Sequence, residues 1–214
     1  IPFETIGGGS NILFSQDFKG MVIHVRNQGI LWDKVKDSAK QKITVSAGEN
    51  WHNFVARCLR KNLYGLENLA LIPGTVGGAP IQNIGAYGVE VKEFISSVKV
   101  YDVIEKKWLS IDGKNCGFDY RSSIFKISDR YIIFSVIFEL FRNWEPRLNH
   151  KELSSKFSSR NATASDVFDE VCKLRSKKLP DPNITGNAGS FFKNPIIHSN
   201  EFKKLRIQFP DIPC

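Results

Sequence analysis

The stretch that most limits the possible folds is residues 71–88, which holds five glycines and two prolines in a mostly apolar context. It cannot form one regular helix or strand, because glycine and proline interrupt both. The pattern predicts a long structured loop, or a turn that leads into a short helix. Its glycines let the main chain approach another group closely. The loop therefore either contacts a ligand or is buried, with glycines that only permit packing.

Strand patterns and helix patterns occur elsewhere in the chain without strict alternation. Residues 21–25, 43–47 and 131–140 are rich in β-branched and apolar residues and predict strands. Residues 98–103 and 108–111 predict a hairpin around a short turn. This order of elements favours an α+β fold over a doubly wound parallel sheet.

Two helices have recognisable ends. Asn50 is a predicted N-cap for a helix through Asn62, whose apolar stripe is formed by Trp51, Phe54, Val55, Cys58 and Leu59. Thr163 begins a second helix, and Asp166 three residues later gives a capping-box signal. Pro180 and Pro182 stop this helix, so residues 180–182 mark the best domain boundary in the chain.

Composition narrows the classes of function. The 214 residues, 42% of them hydrophobic, suffice for one large domain or two small ones, and no apolar run is long enough to span a membrane. The net charge of +8 suits anionic partners, but the basic residues are dispersed, so we expect a phosphorylated small molecule rather than nucleic acid. The four cysteines and four histidines show no metal-ligand spacing, so we expect no metal site and a reducing compartment.

Three segments carry groups suited to ligand binding or catalysis. Residues 7–11 read GGGSN and can expose consecutive backbone N–H groups to phosphate, although a plain tight turn is an equal alternative. Arg121, in residues 119–126, carries a charge that can stabilise a developing oxyanion, although it is also an ordinary surface arginine by type. Ser190, in residues 186–195, lies behind a glycine and before two phenylalanines, as a ligand-directed serine or a turn serine would.

Together these segments resemble the UDP-N-acetylenolpyruvoylglucosamine reductase family of bacterial flavoenzymes, which acts in peptidoglycan precursor synthesis. The motifs PIQNIGAYG, at residues 80–88, and GNAGSFFKNP, at residues 186–195, are highly specific for it. Further matching blocks follow in the expected order at residues 7–14, 46–51, 65–69, 72–91, 120–126 and 178–182. The insert between Phe141 and Lys178 is similar to that of the family's longer form.

The resemblance implies an α+β FAD-binding domain of the vanillyl-alcohol-oxidase (PCMH) type at residues 1–178. It also implies the start of a smaller α+β substrate-binding domain at residues 179–214. FAD is the implied cofactor and NADPH the co-substrate that reduces it. The reduced flavin then reduces the enolpyruvyl group of a UDP-sugar to give UDP-N-acetylmuramate, with ping-pong turnover. A cytoplasmic monomer without a nucleic-acid or membrane partner is expected.

Site residues are carried over by position. The catalytic residues implied are Arg121, which stabilises the enolate charge, and Ser190, which donates the proton. The residues implied for FAD are Gly7, Gly8, Gly9, Ser10, Asn11, Pro73, Gly74, Val76, Gly77, Gly78, Ile81, Gly85 and Tyr87. Those implied for the substrate are Gln82, Tyr120, His150, Lys178 and Asn194, with His150 where the longer form usually has a tyrosine.

Some points differ from the family or stay open. A family glutamate that shares the charge-stabilising role belongs near the C-terminus and has no counterpart here, since Glu201 lies in a different context. Because the first residue is Ile1 and the substrate domain should continue past residue 214, we expect an internal fragment that is inactive alone. Two alternatives are another FAD-dependent oxidoreductase of the same fold and a binding protein without catalysis. The latter is either a flavin-binding remnant or a basic nucleic-acid module.

Overall fold

The computed structural model describes residues 1–34, 39–157, 162–182, 184–189 and 191–212. The strands are β1 (Phe3–Ile6), β2 (Met21–His24), β3 (Ile30–Trp32), β4 (Lys40–Ser46), β5 (Gly85–Ala86), β6 (Val89–Glu90), β7 (Ile95–Asp102), β8 (Lys107–Asp112) and β9 (Tyr131–Phe141). The α-helices are α1 (Trp51–Arg60), α2 (Ile124–Ile127), α3 (Lys151–Ser154), α4 (Ala164–Lys178) and α5 (Ser199–Gln208). The chain therefore has the α+β composition that its sequence predicts.

An antiparallel sheet of five strands, in the order β3-β4-β9-β7-β8, forms the scaffold. In its central strand β9, Val136 pairs with Val45 of β4 on one side and with Val98 of β7 on the other. All three valines are fully buried. Such β-branched side chains are favoured here because they are stiff and pack well on a pleated surface. The predicted hairpin is the β7–β8 pair, and it is confirmed.

Helix α1 packs its predicted apolar stripe against this sheet. Asn50 is its N-cap, and the side-chain oxygen accepts a backbone N–H of the first turn at 2.9 Å. The ring of Phe54 lies 5.0 Å from that of Phe138 in β9. The indole N–H of Trp51 donates to the carbonyl of Leu69 at 2.8 Å, so this large side chain is buried with its polar atom satisfied.

Helix α4 begins and ends where the sequence indicates, whereas α1 ends at Arg60, two residues before its predicted end. Thr163 is its N-cap, and Thr163 and Asp166 form a reciprocal capping box. Val167 and Val171 are buried on its inner face. The helix ends at Lys178, just before the two prolines. The predicted division into residues 1–178 and 179–214 falls at this helix end and stays a prediction.

The glycine-rich stretch is a structured loop, as one of the two alternatives predicted. It contains a single 3-10 turn, Val76–Gly78, and then the short strand pair β5–β6. Asn83 within it is fully buried and has φ of +44°. Its side-chain amide donates to the carbonyl of Asp119 at 3.1 Å. The loop is therefore fastened to the segment that follows β8.

Two features go beyond the sequence prediction. Strands β1 and β2 pair in parallel as a separate two-stranded sheet, with residues 3–6 opposite residues 21–24. Helix α5 was not predicted, although His198 and Glu201 form a capping box at its start. None of its residues is buried. An exposed helix lacks the apolar stripe that makes α1 recognisable, which explains why the sequence pattern did not reveal it.

No described helix is both long and apolar enough to cross a membrane. No three His, Cys, Asp or Glu side chains within the described residues are grouped so that they could hold a metal ion. Cys58, Cys116 and Cys172 are free thiols.

The turn after β7 depends on a buried carboxylate. Asp102 has no exposed surface and accepts hydrogen bonds from Nε and Nη2 of Arg130 at 2.8 and 2.6 Å. It also accepts the N–H groups of Ile104 and Glu105. The hydrogen bonds from Arg130, aided by those of the backbone, lower the pKa of Asp102 to about 2.

We expect Asp102→Asn to destabilise the folded protein in a pH-dependent way. A lowered pKa means that the ionised carboxylate stabilises the folded state above the unfolded pKa of about 3.9. This contribution is lost as the pH falls towards 2. Urea unfolding at pH 7 should therefore show a lower midpoint for Asp102→Asn than for the unchanged protein, and the gap should narrow between pH 4 and pH 2. Asp112→Asn, at the exposed end of β8, is the control. A gap that does not change with pH would contradict this assignment.

Candidate active-site cleft

A cleft of about 610 Å³ lies where several of the predicted segments meet. One wall is the loop after β1, residues 7–12, and the opposite wall belongs to residues 72–85. The turn that holds Arg121 also lines the cleft, as do residues 188–189 and 191–194. Four regions that are distant in sequence thus share one cavity, and we call it the cleft.

We call residues 7–12 the first glycine loop and residues 72–85 the second glycine loop. The two loops touch each other directly. A β-carbon on Gly8 would lie 3.3 Å from Cα of Gly74, and one on Gly7 would overlap Oγ1 of Thr75. Gly74 itself has φ of +113°, which side chains other than glycine's rarely allow. The main chains can therefore approach only because these positions lack side chains. The glycines at this contact permit the packing of one loop against the other, and the contact of both loops with a ligand stays a prediction.

Asn11 links the two loops and leaves one atom without a partner. Its amide Nδ2 donates to Oε1 of Gln82 at 3.1 Å. Its Oδ1 is buried and has no hydrogen-bond partner among the described residues. A buried acceptor without a donor is costly, so a donor from a ligand in the cleft would stabilise it. Glycine-rich main chain together with an unsatisfied acceptor suits a ligand that carries both anionic groups and hydroxyls.

Arg121 occupies a tight turn whose backbone is unusual for its residue type. Asp119 and Ser122 exchange two backbone hydrogen bonds of 3.1 Å across the turn, and Arg121 between them has φ of +52°. Its guanidinium donates to the carbonyl of Gly85 at 2.5 Å and to that of Asn83 at 3.3 Å. Strain of this kind concentrates at functional sites. The arginine that the sequence singled out is thus held against the second glycine loop.

Positive charge dominates the lining. Arg121, Lys126, Arg175 and Lys193 line the cleft, whereas Glu4 is the acidic residue in its wall. Nζ of Lys193 lies 5.0 Å from the ring centroid of Tyr120. Cationic walls of this kind attract polyanionic ligands.

Arg175 is a lining residue that the sequence analysis missed. It projects from the last turn of α4, and its Nε donates to the carbonyl of Leu71 at 3.1 Å. Burial lowers the pKa of its guanidinium, which nevertheless stays charged at working pH. It lies four residues after the buried Val171, on the same helix face. A charged residue on an apolar helix face was the signal that could have identified it.

The segment with the predicted serine also reaches the cleft. Ala188, Gly189 and Phe191 line it, and Gly189 has φ of +61°. Ser190 itself lies outside the described residues. Its assignment as proton donor therefore stays a prediction, supported by the position of its two neighbours in the chain.

Most of the predicted ligand residues line this cavity. From the FAD set these are Gly7, Gly8, Gly9, Ser10, Asn11, Pro73, Gly74, Gly78, Ile81 and Gly85, and from the substrate set Gln82, Tyr120 and Asn194. Gly77 lines a smaller adjoining cavity of about 190 Å³. Val76 lines neither: its side chain is fully buried and its N–H donates to the carbonyl of Glu49 at 2.8 Å. Val76 therefore supports the loop from the core.

Three further predicted residues form a separate cluster. The rings of Tyr87 and His150 meet edge to face at 5.0 Å. Glu152 pairs with Nζ of Lys178 at 2.7 Å, and one of its carboxylate oxygens lies 3.9 Å from Nδ1 of His150. Since the structure places none of Tyr87, His150 and Lys178 in the cleft lining, their roles in ligand binding stay predictions.

Comparisons with known proteins concern the family and the fold of the chain. Residues 1–104 match the family described as FAD binding domain. The chain is 46% identical to the UDP-N-acetylenolpyruvoylglucosamine reductase of Neisseria meningitidis serogroup C, over 97% of this chain and 62% of the relative. It is 49% identical to the enzyme of that name from Haemophilus ducreyi, over 97% of this chain and 60% of the relative.

A solved structure is similar as well. The crystal structure of UDP-N-acetylenolpyruvylglucosamine reductase from Thermus caldophilus superposes with a TM-score of 0.63 at 25% identity. The superposition covers 91% of this chain and 62% of that one. The chain thus spans about three fifths of the length of the relatives it matches, and the predicted FAD-binding fold class is confirmed. The resemblance read from the motifs is confirmed too: the chain is a relative of the UDP-N-acetylenolpyruvoylglucosamine reductases.

Proposed function

We propose that the full protein is a flavoenzyme that reduces the enolpyruvyl group of UDP-N-acetylglucosamine enolpyruvate to give UDP-N-acetylmuramate. NADPH is the proposed source of electrons. The observation that carries this proposal is the meeting of four segments in one cleft. Two glycine loops, the Arg121 turn and the chain on both sides of residue 190 share a single cavity. Because the chain spans about three fifths of its relatives, the reaction is proposed for the full protein.

The fit to FAD rests on the glycine loops and on Asn11. Bound FAD would supply hydride transfer to the substrate. Residues 7–11 offer backbone N–H groups to a diphosphate, which is the kind of anion such nests bind. The unsatisfied Oδ1 of Asn11 would accept a hydrogen bond from a ligand hydroxyl. Residues 72–85 would hold the remainder by main-chain contact.

Arg121 and Ser190 would have separate roles in the reaction: Arg121 would stabilise negative charge, and Ser190 would donate a proton. Addition of hydride to an enolpyruvyl ether leaves an enolate-like carboxylate, whose negative charge must be stabilised before protonation. The guanidinium of Arg121 would supply that stabilisation, and it already lies against the cleft wall at Gly85. The hydroxyl of Ser190 would donate the proton. Serine is a weak acid, so this step needs the substrate carbon placed directly against the hydroxyl.

The charge of the cleft supports a substrate with a diphosphate and a carboxylate. Its lining contains four cationic side chains and one carboxylate, that of Glu4. Such an excess of positive charge raises the local concentration of polyanions and speeds their association. We include Arg175 and Lys193 among the groups that attract the UDP moiety.

A second candidate is an FAD-binding protein without this activity, either a remnant or another oxidoreductase of the same fold. The Arg121 turn and the chain around residue 190 favour the reductase, since both line the cleft beside the glycine loops. Purified full-length protein should carry bound FAD with visible absorption, and NADPH should bleach it. Addition of the enolpyruvyl UDP-sugar should then restore the colour. Reduction by NADPH with no reoxidation by the sugar would favour the second candidate.

We expect Gly8→Val to weaken FAD binding by at least about tenfold, because the added side chain must push residue 74 away from residue 8. Titration of apoprotein with FAD, followed by the quenching of flavin fluorescence, measures this. Gly186→Ala is the matched control, since a β-carbon there meets nothing within 4 Å. Equal affinities for both variants would rule out the proposed contact.

We expect Ser190→Ala to separate the two half-reactions. Removal of a general acid costs roughly 10²- to 10⁴-fold in the step it serves. Reduction by NADPH should therefore proceed normally, while reoxidation by the enolpyruvyl sugar slows by about that factor. Stopped-flow absorbance of the flavin follows both steps. If both keep their rates, Ser190 is not the proton donor.

Gly85→Ala should reproduce the loss caused by Arg121→Lys. A β-carbon on Gly85 would lie 2.6 Å from Nη1 of Arg121, so the guanidinium must leave its place. Lysine cannot reproduce the two-pronged donor geometry of arginine. Both variants should slow substrate-dependent reoxidation by about 10²-fold, and Arg121→Lys should keep FAD affinity within about twofold. A Gly85→Ala enzyme with full reoxidation rate would show that the present guanidinium position is unimportant.

A further inference from the structure

The Arg121 turn has a conformation that its sequence does not favour. Asp119 and Ser122 close a four-residue turn, and of its two central residues Arg121 has the positive φ. A turn with positive φ at its third position normally has glycine or asparagine there. An arginine at this position needs outside contacts to keep it in place.

One end of Arg121 is fixed by the second glycine loop. The guanidinium is bound by the carbonyls of Gly85 and Asn83. Those contacts orient the side chain but do not reach the Arg121–Ser122 peptide group. Its N–H, that of Ser122, already donates to the carbonyl of Asp119. A contact from outside the turn with its carbonyl, that of Arg121, would hold the peptide at both of its polar groups.

Lys126 makes that contact. Its Nζ donates to the carbonyl of Arg121 at 3.1 Å. No carboxylate among the described residues lies within ion-pair distance of Nζ, so an ion pair does not account for its position. A hydrogen bond from a charged donor is stronger than a neutral one.

The backbone segment that carries Lys126 is also held in place. It lies in the short helix α2, whose N-cap Ser123 is buried. The hydroxyl of Ser123 donates to the carbonyl of Ile81 at 2.6 Å and accepts the N–H of Phe125 at 3.2 Å. The lysine therefore reaches back to the turn from a segment that is fastened to the second glycine loop.

We propose that Lys126 is a positioning residue: its ammonium group holds the Arg121 peptide in the left-handed conformation, and thereby aims the guanidinium at the substrate carboxylate. The kinetic part of this inference rests on the proposed function. The structural part, that Lys126 holds the turn, does not.

Three variants of the full-length holoenzyme test the kinetic part. Lys126→Met removes the donor and keeps the length of the side chain, Lys126→Arg restores a donor, and Lys114→Met changes an exposed lysine outside the cleft. Lys126→Met should slow reoxidation by the enolpyruvyl sugar about tenfold at saturating substrate. Lys126→Arg should recover to within about twofold, and Lys114→Met should change nothing.

Coupling to Arg121 separates positioning from direct ligand contact. In an Arg121→Lys background, Lys126→Met should cost less than about twofold, because there is no guanidinium left to aim. An unchanged tenfold loss in that background would overturn the proposal. So would a rise in KM with kcat intact, which would mean that Lys126 contacts the ligand itself.

Proteolysis tests the structural part without reference to activity. Trypsin cleaves after arginine, and the carbonyl that Lys126 binds belongs to the Arg121–Ser122 peptide bond. Under native conditions Lys126→Met should speed cleavage at this bond about tenfold, as judged by mass spectrometry, while Lys126→Arg and Lys114→Met should not. An unchanged cleavage rate would overturn the proposal. Accelerated cleavage together with an Arg121→Lys enzyme of full activity would instead refute the function proposed for Arg121.

Discussion

The walls of the cleft meet where the main chain of two glycines lies directly against a second glycine and a threonine. Gly7 and Gly8, directly after β1, meet Gly74 and Thr75, and a β-carbon at either of the first two positions would collide or crowd. Everything else in the site is arranged around this contact. Asn11 bridges the loops through Gln82, and the rest of the lining closes around them.

The large sheet gives this contact its rigidity. Residue Ala47, at the end of β4, accepts the N–H of Gly77 at 2.8 Å, and Val76 donates to the carbonyl of Glu49. The second glycine loop is therefore tied to the strand end and to the start of α1, whose aromatic side chains pack on β9. A loop that is irregular in conformation is fixed in space here, because these backbone N–H groups bond to residues between β4 and α1. Such rigid support is what a binding loop requires.

The sequence predicted those parts that depend on local physics. The N-caps at Asn50 and Thr163, the β7–β8 hairpin and the apolar stripe of α1 involve residues that are near one another in the chain, and each agrees with the structure. The parallel pairing of β1 with β2 depends on distant contacts, so no local pattern revealed it. The exposed helix α5 has no apolar stripe to mark it.

The residues of the site also fall into two groups, those that the sequence revealed and those that only the structure revealed. Glycine loops and the Arg121 turn were recognisable because their residue types are unusual for their context. Arg175 was missed because an arginine near a helix C-terminus is ordinary; its place on the apolar face of α4 was a signal, but its neighbours in the cleft come from the fold. Lys126 belongs to the matching block at residues 120–126. Its hydrogen bond to the backbone carbonyl of Arg121, however, could be found only from the structure. Tyr87, His150 and Lys178 are gathered around Glu152, an arrangement that the motifs did not indicate.

In the function we propose, one cavity serves both the flavin and the reacting sugar. A crystal structure of the full-length protein with FAD and the enolpyruvyl UDP-sugar would show whether it does. We expect FAD to contact residues 7–11 and residues 74–85 together, with the sugar's carboxylate bound by Arg121 and its reacting carbon beside Ser190. A flavin bound elsewhere, or a sugar remote from both side chains, would contradict it.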